Sequence, residues 1–132
     1  MSYKILIVDD SAVTRAVLKK TIAMTGVPVR EIIEATNGRD AIDKLEHAGV
    51  DLIMADLNMP TMNGLEMTDK IFANDKTSHI PVVIVSTESS STRIDQLQAK
   101  GVRGYVHKPF LPEQIRDVLS EVLDLSDMAE PV

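Results

Sequence analysis

The sequence predicts an α/β domain: a doubly wound, five-stranded parallel sheet with helices on both faces. Three observations carry that expectation. First, five short apolar runs recur along the chain: Lys4–Val8, Glu31–Ala35, Asp51–Ala55, Pro81–Ser86 and Gly104–His107. Second, segments with helical spacing separate them, and alternation of this kind stacks βαβ units around a parallel sheet. Third, Ile5-Leu6-Ile7-Val8, Leu52-Ile53-Met54-Ala55 and Val82-Val83-Ile84-Val85 are apolar at consecutive positions. Strands of that kind are buried on both faces, so these three belong in the centre. Glu31-Ile32-Ile33-Glu34-Ala35 and Gly104-Tyr105-Val106-His107 are mixed and suit the edges. With the runs numbered along the chain, the order 2-1-3-4-5 satisfies this with right-handed crossovers.

That order is the flavodoxin-like arrangement. The helices carry their own punctuation. Ser11 can cap the first, which stops near Gly26 before Pro28. Asn37 can cap the second, with Ala41, Leu45 and Ala48 on one face and Gly49 closing it. The last helix has Pro112 in its first turn and a stripe of Ile115, Val118, Leu119, Val122 and Leu123. Residues 126–132 are expected to be a flexible tail, so residues 1–125 form the single domain.

The chain of 132 residues has the length of one ordinary domain. Such a chain buries roughly two-thirds of its unfolded surface, which is enough for a core without staples. It has no cysteine, which excludes disulfides and thiolate zinc sites and fits a reducing compartment. The start, Met1-Ser2-Tyr3-Lys4, shows no signal-peptide pattern, and no apolar run approaches the ~20 residues of a membrane span. A soluble, cytoplasmic monomer is expected. The net charge of −6 argues against non-specific nucleic-acid binding and suits a divalent cation if the acids cluster.

In open α/β sheets, ligands bind at the carboxyl ends of the strands, where strand order reverses. Here Asp9-Asp10 come at the end of the first strand, Asp56 at the end of the third, Ser86-Thr87 at the end of the fourth and His107-Lys108-Pro109 at the end of the fifth. Three carboxylates, a hydroxyl and an ammonium therefore converge on one rim. Two carboxylates ~4 Å apart repel by about 4 kcal/mol at an effective dielectric near 20. Such a cluster raises its own pKa values or recruits a cation. Oxygen-only ligands favour a hard ion, and a site that keeps waters favours Mg²⁺. A hard cation, a Lys, a hydroxyl and a spare carboxylate together make a phosphoryl-transfer site with the carboxylate as nucleophile.

At these residues the sequence resembles the receiver domains of two-component response regulators, especially stand-alone CheY-like chemotaxis regulators. The resemblance runs from about Lys4 to Leu123. It rests on Ile7-Val8-Asp9-Asp10-Ser11, on Met54-Ala55-Asp56-Leu57-Asn58-Met59-Pro60 with Met62-Asn63-Gly64, on Val85-Ser86-Thr87-Glu88, and on Gly104-Tyr105-Val106-His107-Lys108-Pro109-Phe110. It implies a signalling protein that catalyses only its own phosphorylation and dephosphorylation. Asp56 would be the phosphoacceptor. Asp9, Asp10 and Asp56, with the Asn58 backbone carbonyl, would hold Mg²⁺, Asp9 through water. Lys108 would pair with Asp56 and then with the phosphoryl group. Ser86 and Tyr105 would be the switch pair, and Asn58 and Glu88 would tune dephosphorylation. Ile94, Tyr105 and Val118 would lie on the partner face of the fourth helix, fifth strand and fifth helix. The Lys108–Pro109 peptide would be cis. The implied partners are a sensor histidine kinase of chemotaxis type and a downstream protein such as a flagellar switch protein. Val118 stands where flagellar-switch-binding members carry Lys, which weighs against that partner. A phosphorelay intermediate or a phosphate sink is the alternative output.

Plainer readings stand beside these. Asp9-Asp10 alone reads as helix-capping acid, Lys108 alone as a solvated charge, and Ser86 as the cap of the next turn. Tyr105 alone reads as a static packed ring, and Ile94 as core as readily as partner face. His47, His79 and His107 share no metal spacing and read as surface residues; the seven Met residues read as filler. A flavin or nucleotide binder needs a Gly- or hydroxyl-rich phosphate loop after the first strand, where this chain has two acids. An aspartyl-phosphate phosphohydrolase similar to haloacid dehalogenases places its nucleophile after the first strand, with a second Asp two residues on, where this chain has Ser11.

Overall fold

A computed structural model describes residues 2–123. The elements alternate strictly: β1 (Tyr3–Val8), α1 (Ala12–Met24), β2 (Val29–Ala35), α2 (Gly38–Leu45), β3 (Leu52–Ala55), α3 (Gly64–Ala73), β4 (Val82–Ser86), α4 (Ser91–Lys100), β5 (Gly104–His107) and α5 (Pro112–Leu123). All strand pairs are parallel, in the order β2-β1-β3-β4-β5. This is the expected flavodoxin-like sheet. The tail expected at 126–132 lies outside the described residues.

The period-two alternation of strands divides the core in two. Leu6, Val8, Ile53, Ala55, Val82 and Ile84 face Ala41 of α2, Met67 and Ile71 of α3 and Leu97 of α4. Ile5, Ile7, Leu52, Met54, Val83 and Val85 face Leu18 and Ile22 of α1 and Ile115 and Leu119 of α5. The central strands β3 and β4 are buried throughout, as are the last four residues of β1. Edge strand β2 is mostly half-exposed and begins two residues earlier than the apolar run suggests, because Val29 pairs with Tyr3.

Helix ends follow local chemistry. Ser11 caps α1 by accepting from the Thr14 N–H at 3.2 Å. Gly26 follows with φ 81°, close to the expected stop. Asn37 caps α2, but Gly49 does not close it. The helix ends at Leu45, where the Glu46 and His47 N–H groups reach back three residues to Asp43 and Lys44 and tighten the last turn. Ala48 is therefore outside the helix. Asn63 and Glu66 form a reciprocal capping box at the start of α3. That box orients the segment directly after Asp56. His47, His79 and His107 are all exposed.

Candidate functional site

The carboxyl ends of β1, β3 and β5 deliver the charges to one rim. Asp9, Asp10 and Asp56 each offer an oxygen within 4.8 Å of the others. Asp9 is buried, Asp56 half-buried and Asp10 exposed, so the cluster opens to solvent on the Asp10 side. The Asp9 and Asp56 carboxylates are oriented by backbone N–H groups and by Lys108. Asp9 Oδ1 accepts from the Ser11 N–H at 2.8 Å. Asp56 Oδ1 accepts from the Leu57 N–H at 2.7 Å, with the Asn58 N–H at 3.5 Å.

Lys108 spans the two strands. Its Nζ lies 2.9 Å from Asp9 Oδ2 and 3.4 Å from Asp56 Oδ2. The expected pairing with Asp56 is present, but Asp9 is the nearer partner. Burial pushes the Lys108 ammonium down; the hydrogen bond to Asp9 and the charges of Asp56 and Asp9 outweigh it, leaving the pKa above its usual 10.5. The ammonium is therefore charged at neutral pH and offsets part of the acid repulsion. The Lys108–Pro109 peptide is cis.

The loop that presents Asp56 is anchored through glycines. The Gly64 N–H donates to the Leu57 carbonyl at 2.9 Å, and the Gly38 N–H donates to the Met62 carbonyl at 2.8 Å. A Cβ on Gly64 would sit 2.3 Å from the Asp56 carbonyl oxygen, so no side chain fits there. Thr61 takes φ 67°, and the Met62 N–H bonds back to the Pro60 carbonyl at 2.6 Å, folding the loop sharply beside the site.

A second group forms on β4 and β5. Ser86 is fully buried, and its Oγ accepts from the Glu88 N–H at 3.2 Å. It caps the next turn, as its plainer reading has it. The half-buried Tyr105 hydroxyl donates to the Glu88 carbonyl. Burial raises the Tyr105 pKa, a hydrogen bond with Ser86 opposes this, and the charges of Glu88 and Asp56 add to the rise. Glu88 turns its carboxylate to the start of α4, where Oε2 accepts from the Ser90 N–H at 3.2 Å and Oε1 lies 3.8 Å from Arg93 Nε. Asn58 is exposed beside Asp56.

Ile94 and Val118 lie away from the acids. Ile94 is half-buried on α4. Val118, expected on the partner face, is instead largely buried at 9% exposure. The reason is Gly104: a Cβ there would come 2.6 Å from Val118 Cγ2, so the missing side chain lets Val118 sink under β5. A groove of about 560 Å³ runs between α4, β5 and α5, with Arg103, His107, Gln114 and Glu121 at its walls and Tyr105 and Val118 also lining it.

The residue-type reading missed what stands behind the cluster. Arg15 Nη1 donates to the Asp9 backbone carbonyl at 2.6 Å, and its Nε donates to Glu34 Oε1 at 2.9 Å. The available signal was an Arg one helical turn after the Ser11 cap, which brings it back to the end of β1.

The structure is thus a doubly wound sheet that carries three acids and a lysine at its switch point, where ligands of such sheets bind. Comparison with known proteins narrows the class. Residues 5–120 match the response regulator receiver domain family. The chain is 34% identical over 125 residues to chemotaxis protein CheY1 of Helicobacter pylori strain J99, covering 94% of this chain and 99% of that protein. It is 36% identical over 121 residues to a chemotaxis protein CheY homolog of Campylobacter jejuni, covering 91% and 92%. The solved chemotaxis response regulator CheY4 of Vibrio cholerae superposes with a TM-score of 0.81 at 32% identity, covering 92% of this chain and 99% of that one. The chain belongs to the response regulator receiver domain family and is CheY-like.

Proposed function

We propose that the protein is a Mg²⁺-dependent phosphoacceptor switch, with Asp56 modified by a histidine kinase of a chemotaxis system. The observation that carries this reading is the rim itself: three carboxylates within ligand distance of one another and a lysine bridging two of them. The donor set fits a hard divalent ion, since it offers oxygens alone. Asp9, Asp10 and Asp56, with the Asn58 carbonyl, would hold Mg²⁺, which would neutralise charge on the transferring oxygens.

The remaining steps belong to the chain's own residues. An Asp56 carboxylate oxygen attacks phosphorus, and the bond from phosphorus to the donor's nitrogen breaks with its electron pair leaving on the donor. Lys108 follows the new charge from Asp9 and Asp56 to the phosphoryl oxygens. Ser86 gives up the Glu88 N–H and turns its hydroxyl toward the same oxygens. Tyr105, already bonded to the Glu88 carbonyl, carries that change to the groove between α4, β5 and α5. Asn58 and Glu88 flank the approach of water and set the lifetime of the acyl phosphate. A new local charge thus biases a two-state element.

The output is contact with another protein at the α4–β5–α5 face, including Ile94 and Tyr105. The burial of Val118 favours an output other than a flagellar switch, such as phosphorelay or a phosphate sink. Residues 1–125 act as one receiver unit. No helix among the described residues is long and apolar enough to cross a membrane, which suits work beside a cytoplasmic kinase.

The test is incubation with acetyl phosphate, with and without Mg²⁺, read by intact mass. Wild type gains one phosphoryl group only with Mg²⁺, and Asp56→Asn gains none. A folded wild type that stays unmodified by both acetyl phosphate and a chemotaxis kinase overturns the reading.

A further inference from the structure

Directly behind the acid cluster lies a second set of charges, on α1 and β2. The Arg15 side chain is 13% exposed, and its guanidinium bonds in two directions, to the Asp9 carbonyl at 2.6 Å and to Glu34 Oε1 at 2.9 Å. Glu34 is held in turn by Lys19, whose Nζ donates to Oε2 at 2.9 Å. The hydrogen bonds from Lys19 and then Arg15 hold the Glu34 carboxyl below its usual 4.5 despite some burial. Burying a guanidinium this far is costly unless its planar fork is satisfied. Here Nε and Nη1 of the fork are both bonded, and one of their partners is a backbone atom of the site.

That carbonyl belongs to the peptide joining Asp9 to Asp10. The Asp9 side chain is fixed independently by the Ser11 N–H and Lys108. Asp10 is exposed, and its direction is inherited from the peptide before it. Rotation of that peptide would carry the Asp10 carboxylate away from Asp56 and open the cluster.

We infer that Arg15 is a positioning residue for the cation site: braced by Glu34, it locks the Asp9–Asp10 peptide so that Asp10 faces Asp56. This rests on the metal reading above. It makes a prediction with a sign opposite to simple electrostatics. Removing a positive charge beside three carboxylates should, by Coulomb attraction alone, tighten cation binding. Loss of the clamp should instead weaken it, and partners that orient metal ligands typically contribute roughly ten-fold or more in affinity.

The experiment is calorimetric Mg²⁺ titration of wild type, Arg15→Gln and Arg15→Lys, each checked for folding by thermal unfolding. Arg15→Gln is expected to bind about ten-fold more weakly than wild type. Arg15→Lys keeps the charge but loses the fork, and is expected to stay several-fold weak. A folded Arg15→Gln that binds as tightly as wild type, or more tightly, makes Arg15 a structural tie between α1 and β2 and overturns the inference. Full recovery by Arg15→Lys overturns it too, because charge alone would then suffice. If Arg15→Gln fails to fold, Arg15→Lys decides: unchanged affinity sinks the inference. A wild type that takes up no Mg²⁺ ends the metal reading and this inference with it.

Discussion

The two flanks of the acid rim are held in different ways. On the β1–β3 side every fixed group is constrained from several directions. Asp9 answers to the Ser11 N–H and Lys108, and its backbone to Arg15. Asp56 answers to the Leu57 N–H and Lys108, and its loop is closed by contacts of Gly38 and Gly64. On the β4–β5 side, Ser86 and Tyr105 both bond to the backbone of Glu88, and the Glu88 carboxylate pairs at 3.8 Å with an Arg93 that is 44% exposed. The first flank is over-determined, as a site that must place a nucleophile requires. The second hangs on few bonds in an open loop, and such segments can hold two arrangements close in free energy.

The strongest way to break this contrast is to strain the rigid flank. Gly64→Ala would drive a Cβ to within 2.3 Å of the Asp56 carbonyl oxygen, and backbone cannot move aside as a side chain can. We expect a loss of about 3 kcal/mol, or roughly 10 °C in Tm, and sharply reduced labelling by acetyl phosphate. Gly49→Ala is the control, since a Cβ there meets nothing within 4 Å. It should change stability by about 0.5 kcal/mol or less. Thermal unfolding of both variants decides whether the site loop is as tightly closed as these contacts imply.

A second prediction concerns the charge that binds the rigid flank together. Lys108→Met leaves three acids facing one another with no bridging ammonium. Without divalent cation we expect a loss of about 2 kcal/mol, the value of charged hydrogen bonds in a partly buried setting. Saturating Mg²⁺ should recover most of that loss, because ligand binding to the native state stabilises it. Urea unfolding with and without Mg²⁺ measures both numbers. A loss that Mg²⁺ leaves untouched would show that Lys108 supports the fold rather than the charge balance of the site.

The same contrast explains what was legible in the sequence. The central strands could be read directly, because consecutive apolar residues such as Ile5 to Val8 have few other places to go. The rim could be read too, since Asp9, Asp10, Asp56 and Lys108 each lie within two residues of a strand's carboxyl end. Relations between elements were not legible. That Lys108 lies nearer to Asp9 than to Asp56 depends on side-chain reach across the sheet. Val118 fits both a buried stripe and a partner face, and only the absent side chain of Gly104 decides between them. The Arg15–Glu34 pair joins a helix to an edge strand and leaves no local pattern. Gly49 misled because glycine is a common helix stop, whereas α2 closes earlier by three-residue bonds. The Asn63–Glu66 capping box, by contrast, was present as a readable spacing.

The smallest expected effect probes the loose flank. Tyr105→Phe removes only the hydroxyl, which donates to the Glu88 carbonyl and also bonds with Ser86. One neutral hydrogen bond contributes about 1 kcal/mol, so the urea midpoint at neutral pH should fall only slightly. Labelling of Asp56 should be unchanged, while amide exchange across residues 87–90 should quicken. The difference should also depend on pH. Burial raises the folded Tyr105 pKa above 10.0, so the unfolded chain releases this proton first. The hydroxyl's contribution is therefore complete below pH 10.0 and is lost as pH rises through the folded value. Wild type and Tyr105→Phe should converge in stability at high pH and stay apart at neutral pH. A gap that persists above the folded pKa would mean that ring packing, rather than the hydroxyl, ties β5 to the β4–α4 loop.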